Sequence, residues 1–135
     1  MSRVCLDTSA YSHFKRGHHP AIEALTRASW VGVPTVVLGE LRTGFRLGDR
    51  RARNDVELSK FLANPVVEVL DVDDEAAEIY SEIFVALRQA GTPVPTNDVW
   101  IAAIAAREGA PVLTYDQHFR SIARIGTRIL KRSQS

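Results

Sequence analysis

The feature that most constrains this chain is alternation. Short apolar runs bounded by turn residues recur between segments whose apolar residues fall at helical spacing. A short continuous apolar run fits a strand buried on both faces, and apolar residues at i, i+3, i+4 and i+7 mark one face of a helix. Strands joined through helices need crossovers, and right-handed crossovers build a parallel sheet covered by helices on both sides. The expected fold is a three-layer α/β/α domain around a small central parallel sheet of about four or five strands.

Arg3 to Leu6 reads as the first strand, and Asp7-Thr8-Ser9 as its turn into a short helix that stops near Gly17. Each of those three residues can cap a helix. Pro20 opens a second helix to about Ala28, and Trp30 to Val33 is the second strand. Pro34-Thr35 leads into a helix carrying Val37, Leu38, Leu41 and Phe45 on one face, fading around Gly48. A basic helix from about Arg50 to Ala63 precedes a third strand, Val66 to Leu70. Asp73-Asp74-Glu75 puts negative charge where a helix dipole favours it, and that helix runs to about Ala90 before Gly91. Thr96 is placed to cap a helix from Asn97 to Glu108, closed by Gly109. Pro111 to Thr114 is the fourth strand, Gln117 to Ala123 a short helix, and Arg128 to Leu130 an edge strand.

A chain of 135 residues, 45% hydrophobic, can bury its own core as one domain over 1–135. No apolar run approaches the roughly 20 residues of a membrane span. Asp7 interrupts the N-terminal apolar run, so no secretory hydrophobic segment is expected there. Cys5 is the single cysteine, which excludes an internal disulfide, fits a reducing cytoplasm and reads as a packed core residue. The net charge of +1 hides two basic clusters. One is Arg42, Arg46, Arg50, Arg51 and Arg53; the other is Arg120, Arg124, Arg128, Lys131 and Arg132. Such clusters permit a nucleic-acid partner without requiring one, since most charged faces are simply solvated.

Four acids stand out by position. In open parallel sheets, sites form beyond the carboxyl ends of strands, where the strand order reverses. Asp7 follows the first strand and Asp116 the fourth, so their carboxylates meet if those strands are neighbours. Glu40 lies in the apolar helical stretch Val36-Val37-Leu38-Gly39-Glu40-Leu41. Asp98 lies in a first helical turn, followed by Val99, Trp100, Ile101 and Ala102. A charge among apolar neighbours costs several kcal/mol unless paired or metal-bound. Converging acids without basic partners repel, and a divalent cation relieves the repulsion; oxygen ligands suit Mg²⁺ or Mn²⁺. Each acid also has a purely structural reading, as a helix cap, a dipole partner, a solvated edge residue or a turn former. One phosphotransfer class is disfavoured: a haloacid-dehalogenase-type site needs a second Asp where Ser9 stands.

Together these motifs resemble one family. Val4-Cys5-Leu6-Asp7-Thr8-Ser9 resembles the opening signature of PIN domains, and Leu38-Gly39-Glu40-Leu41 their second acidic site. Asn97-Asp98-Val99-Trp100-Ile101-Ala102-Ala103 and Leu113-Thr114-Tyr115-Asp116-Gln117-His118-Phe119 resemble the third and fourth. Order and spacing are similar to those of VapC-type toxins, over essentially the whole chain. The resemblance implies an endoribonuclease dependent on Mg²⁺ or Mn²⁺, the toxin of a type II toxin–antitoxin module. Its catalytic, metal-binding set would be Asp7, Glu40, Asp98 and Asp116, with Asp7 and Asp98 the direct ligands of first choice. Thr8, Ser9, Asn97 and Thr114 are candidates to hydrogen-bond those acids. Arg42, Arg46, Arg50 and His118 are candidate RNA contacts. His118 departs from many relatives, which carry a further acid there. Trp30 and Trp100 have faces for base stacking, although Trp100 sits in an apolar run and reads as core. The implied partners are an RNA substrate and a cognate antitoxin, and the number of apolar helix faces points to a homodimer. The alternatives are a catalytically inert PIN fold used for binding, and a PIN nuclease acting on DNA or other nucleic-acid structures.

Overall fold

The first strand, β1 (Ser2–Leu6), occupies the middle of the sheet, and its second half is fully apolar for that reason: Val4, Cys5 and Leu6 are all completely buried. In the computed structural model, which describes residues 2–132, β2 (Ala28–Pro34) and β4 (Val112–Thr114) flank β1, both parallel to it. Val4 sits opposite Val31, and Leu6 opposite Leu113. β3 (Val67–Leu70) extends the sheet beyond β2, and β5 (Thr127–Ile129) extends it beyond β4. The order is β3-β2-β1-β4-β5 with every pairing parallel, so the strand order reverses between β1 and β4.

Helices α1 (Thr8–Lys15) and α2 (His19–Arg27) join β1 to β2, and α3 (Thr35–Leu47) and α4 (Arg51–Leu62) join β2 to β3. Helices α5 (Asp74–Ala90) and α6 (Thr96–Glu108) carry the chain back from β3 to β4. The first two connections step across the sheet in one direction and the third in the other. Right-handed crossovers therefore place α1–α4 on one face and α5–α6 on the opposite one, giving the three layers expected from the sequence.

Helix α6 is buried almost all round: Val99, Ile101, Ala102, Ala103, Ile104 and Ala105 are inaccessible or nearly so. A helix apolar on every side belongs at the centre of a domain, and α6 packs on α5, α3, β2 and β4. Its C-terminal end is fixed by Arg107, which donates to the Asp71 carbonyl at 2.7 Å and to Asp73 at 2.9 Å. Asp73 in turn caps α5 by accepting from the Ala76 amide. Gly109 then takes φ +66°, the left-handed conformation that ends a helix and that other residues adopt only with strain.

Three local expectations are corrected. Thr96 is the first residue of α6, not its cap; Pro95 holds the cap position with no side-chain hydrogen bond. Proline fixes φ at −52°, which sets the entry angle of the helix, but it has no side-chain acceptor to offer the first turn. The segment after β4 is a 3₁₀ stretch, Gln117–Ser121, and not a helix to Ala123: the fully buried Phe119 pins one turn to the core, and Ile122 is already extended. Trp100 is only half-buried, stacked on Tyr80 with ring centroids 3.9 Å apart. Among the described residues no helix is long and apolar enough to cross a membrane.

Candidate active site

The reversal of strand order opens a crevice at the carboxyl end of the sheet, and all four singled-out acids line it. Asp7, Glu40, Asp98 and Asp116 border a cleft of about 510 Å³, together with Thr8, Ser9, Pro95, Thr96, Asn97 and Ile101. Among the described residues no Lys or Arg lines it.

Asp7 leaves β1 and caps α1, its Oδ1 accepting from the Ala10 amide at 2.9 Å. The capping and functional readings of this residue therefore coexist. Ser9 Oγ donates to both carboxylate oxygens at 2.9 and 3.0 Å, and Thr114 Oγ1 donates to Oδ2 from across the sheet. Three donors thus make four contacts with the two carboxylate oxygens and fix the orientation of the side chain. Asp7 is 4% exposed and Thr114 is fully buried. Burial raises the Asp7 proton affinity above the usual carboxylate range, while the hydrogen bonds from Thr114, Ala10 and Ser9 pull it back.

Thr114 is the hinge of the arrangement. Its hydroxyl also accepts from the Asp116 amide at 2.8 Å, so one side chain sets the two strand-end acids. Ser9 Oγ accepts from the Tyr115 amide at 3.0 Å, a second tie between the β1 and β4 turns. Glu40 projects from the middle of α3, and Thr8 donates to its Oε1 at 2.6 Å. Asn97 Nδ2 approaches Glu40 Oε2 at 3.4 Å. Each of the four residues proposed to hydrogen-bond the acids thus touches one of them.

Asp98 sits in the first turn of α6, half-buried, and its carboxyl is pushed up to about 6. Burial is the first cause; the carboxylates of Asp116, Glu40 and Asp7 follow, and His118 opposes them. His118 is exposed, with Nδ1 3.1 Å from Asp116 Oδ1. Donor atoms of Asp98, Asp116 and His118 all lie within 4.8 Å of one another, close enough to converge on one ion. Asp7 and Asp98, the direct ligands of first choice from the sequence, both line the cleft, and His118 joins the candidates beside Asp98 and Asp116. A cluster of carboxylates with one imidazole, no lining cation and a raised acid is chemically suited to a divalent metal ion.

The raised acids give a stability prediction for the metal-free protein. Between the usual carboxylate pKa and about 6, the folded state binds more protons than the unfolded chain, so acidification through this window stabilises it. The denaturant midpoint should therefore rise from pH 7 to pH 5. A midpoint that falls steadily over that interval would contradict the raised proton affinity of Asp7 and Asp98.

The Arg42–Arg53 cluster does not border the cleft. Arg46 lies six residues past Glu40, about 9 Å further along the axis of α3. Arg42 and Arg51 both approach Asp55, at 3.7 and 3.5 Å, and Arg53 pairs with Glu57 at 3.0 Å. The tryptophans are also engaged elsewhere. Arg3 covers the Trp30 ring at 4.3 Å, and Trp30 Nε1 donates to Glu68 at 3.1 Å. Sequence reading had no signal for the stack of Tyr115 on His13 at 3.9 Å, which holds His13 Nδ1 2.8 Å from the Ser9 carbonyl.

A parallel α/β domain with four acids gathered at its switch point defines a class with an acidic centre. Within that class, the sequence profile of the PIN domain matches residues 4–125, and the chain belongs to the PIN-domain family. It is 31% identical to ribonuclease VapC5 of Mycobacterium tuberculosis, over 87% of this chain and 85% of that protein. Among solved structures, DNA-bound VapBC from Salmonella typhimurium superimposes with a TM-score of 0.83 at 28% identity, over 96% of this chain and 98% of that one. VapBC-5 from Mycobacterium tuberculosis gives a TM-score of 0.74 at 29% identity, over 97% and 99%.

Proposed function

We propose that this protein is a metal-dependent endoribonuclease that hydrolyses phosphodiester bonds in RNA and serves as the toxin of a VapBC-type toxin–antitoxin module. The observation that carries the chemistry is the convergence of Asp7, Glu40, Asp98 and Asp116 in one cleft that no basic side chain lines. The relatives bearing the name ribonuclease VapC support the substrate class, and the VapBC structures support an antitoxin partner. The whole chain would act as one cytoplasmic PIN domain, paired as a homodimer and held inactive by its antitoxin.

In this reading Asp7, Glu40, Asp98 and Asp116 would hold Mg²⁺ or Mn²⁺, with His118 able to join Asp98 and Asp116. When bound, such an ion would supply Lewis-acid polarisation of the phosphodiester. Thr114, Ser9 and the Ala10 amide orient Asp7, and Thr8 and Asn97 orient Glu40, so the carboxylates are set before substrate arrives. Glu40, held by Thr8 and Asn97, would be the group to take a proton from an attacking water.

The test is incubation of purified protein with defined single-stranded RNAs, with Mg²⁺, with Mn²⁺ and with EDTA, beside Asp7→Asn. Cleavage is expected only with added metal and only in the wild type. Undiminished cutting in EDTA would remove the metal from the mechanism, and equal cutting by Asp7→Asn would remove Asp7 from the site.

A further inference from the structure

A second cleft, of about 610 Å³, opens on the β5 side of Asp116 and shares that residue with the acidic cleft. It is lined by Arg120, Lys131 and Arg132, with Gln117 and the apolar Ile129 and Leu130. All three cations are exposed, and among the described residues none takes part in an ion pair. In the Arg42–Arg53 cluster, Arg42, Arg51 and Arg53 face Asp55 or Glu57, so part of the field is cancelled locally, and no member of the cluster lines the acidic cleft.

Four acids repel a polyanion, so attraction must come from cations close by, within the screening length of about 8 Å at physiological salt. The basic cleft is the surface that meets the acidic one at a shared residue and keeps its positive charge uncompensated. Asp7, at 4% exposure, is recessed. A flexible single strand can dip to it while its neighbouring phosphates lie in the adjoining cleft, which a stiff duplex cannot do.

We propose that this cleft is the track for the backbone of single-stranded RNA: Arg120, Lys131 and Arg132 bind phosphates flanking the scissile one, which lies over the four acids. The proposal rests on the ribonuclease reading above and names where its substrate is gripped.

The test measures binding of a fluorescent single-stranded RNA to the full chain in EDTA, across a salt series. Neutralising Arg120→Gln, Lys131→Gln and Arg132→Gln together should flatten the slope of log affinity against log salt by about 2, since each phosphate contact on a single strand contributes about 0.7. Affinity at low salt should fall at least about tenfold. Arg42→Gln, Arg51→Gln and Arg53→Gln together remove the same charge and should change the slope by less than about 1. Each single change in the cleft should flatten it by about 0.7, which keeps the result readable if the triple variant folds poorly. A wild-type slope in the cleft variant, or wild-type protein that fails to bind RNA, would overturn the track. An unchanged slope with lost affinity for polyglutamate would reassign the cleft to an acidic protein segment. Cleavage of the same RNA by wild type with Mg²⁺ or Mn²⁺ is scored separately. Loss of that activity with slope-dependent binding intact would sink the ribonuclease reading alone, and normal cleavage with unchanged slopes would sink the track alone.

Discussion

Asp98→Asn is expected to abolish RNA cleavage and at the same time to stabilise the metal-free protein. The two effects have one cause. Asp98 is half-buried beside Asp116, Glu40 and Asp7, and its carboxyl is held near 6 against an ordinary value of 3.8. Two units correspond to about 3 kcal/mol of disfavoured charge. Partial solvent access at Asp98 reduces the recoverable part to about 1 kcal/mol. The first turn of α6 opposes this by favouring an acid, by about 0.3–1 kcal/mol, yet the raised value shows that burial and repulsion win. A gain of about 1 kcal/mol should raise Tm by roughly 3–5 °C in a domain of this size. The sign follows the proton count: the penalty is present above about pH 6 and vanishes as the wild-type carboxyl protonates. The gain should therefore shrink toward zero near pH 4. Cleavage, in contrast, should fall by about 10³-fold, equivalent to about 4 kcal/mol of transition-state stabilisation. Calorimetry of the metal-free pair at pH 7 and pH 4, with RNA cleavage measured beside it, reads both. A variant less stable than wild type at pH 7, or one that still cuts normally, would contradict the role given to Asp98.

Thr114→Val is expected to be costly in a way that its size does not suggest. Valine matches threonine in shape, and the site is fully buried, so packing is nearly preserved. The hydroxyl, however, donates to Asp7 and accepts from the Asp116 amide at 2.8 Å. Removing it strands the Asp116 N–H and leaves Asp7 Oδ2 with only its Ser9 contact at 3.0 Å, and each lost partner of a buried polar group costs about 1–3 kcal/mol. A loss of about 2–4 kcal/mol follows, or roughly 10 °C in Tm. Activity should drop as well, because both strand-end acids lose the contact that orients them. Thr114→Ser keeps the hydroxyl and should restore most of the activity. If Thr114→Val melts with wild type, or if Thr114→Ser is as inactive as valine, the hydroxyl does not set these acids.

The sequence and the structure divide this protein along the range of the forces involved. Strand and helix positions are local properties, and they were legible in the alternation of apolar runs and helical periods. So were the residues that end or begin elements, such as Gly91, Gly109 and Asp73. The four acids were also visible, because Asp7 and Asp116 follow apolar strands and Glu40 and Asp98 stand in apolar helical stretches where a charge is anomalous. Periodicity does not say which strands are neighbours. Cys5 pairs with Val112 and Leu6 with Leu113 across more than a hundred residues, and only burial of both strands on both faces selects that pairing. That pairing brings Thr114 onto Asp7. The same limit applies to the basic clusters. In sequence, Arg42 to Arg53 adjoins Glu40, but none of these arginines lines the cleft, and Asp55 and Glu57 pair with Arg42, Arg51 and Arg53. Lys131 and Arg132 are far from Glu40 and Asp98 in the chain. They line the cleft next to Asp116 because β5 pairs with β4, its last residue Ile129 beside Thr114, so the chain leaves the sheet at the end where the acids lie. Side-chain identity is written in the chain; which charges face each other is decided by the sheet.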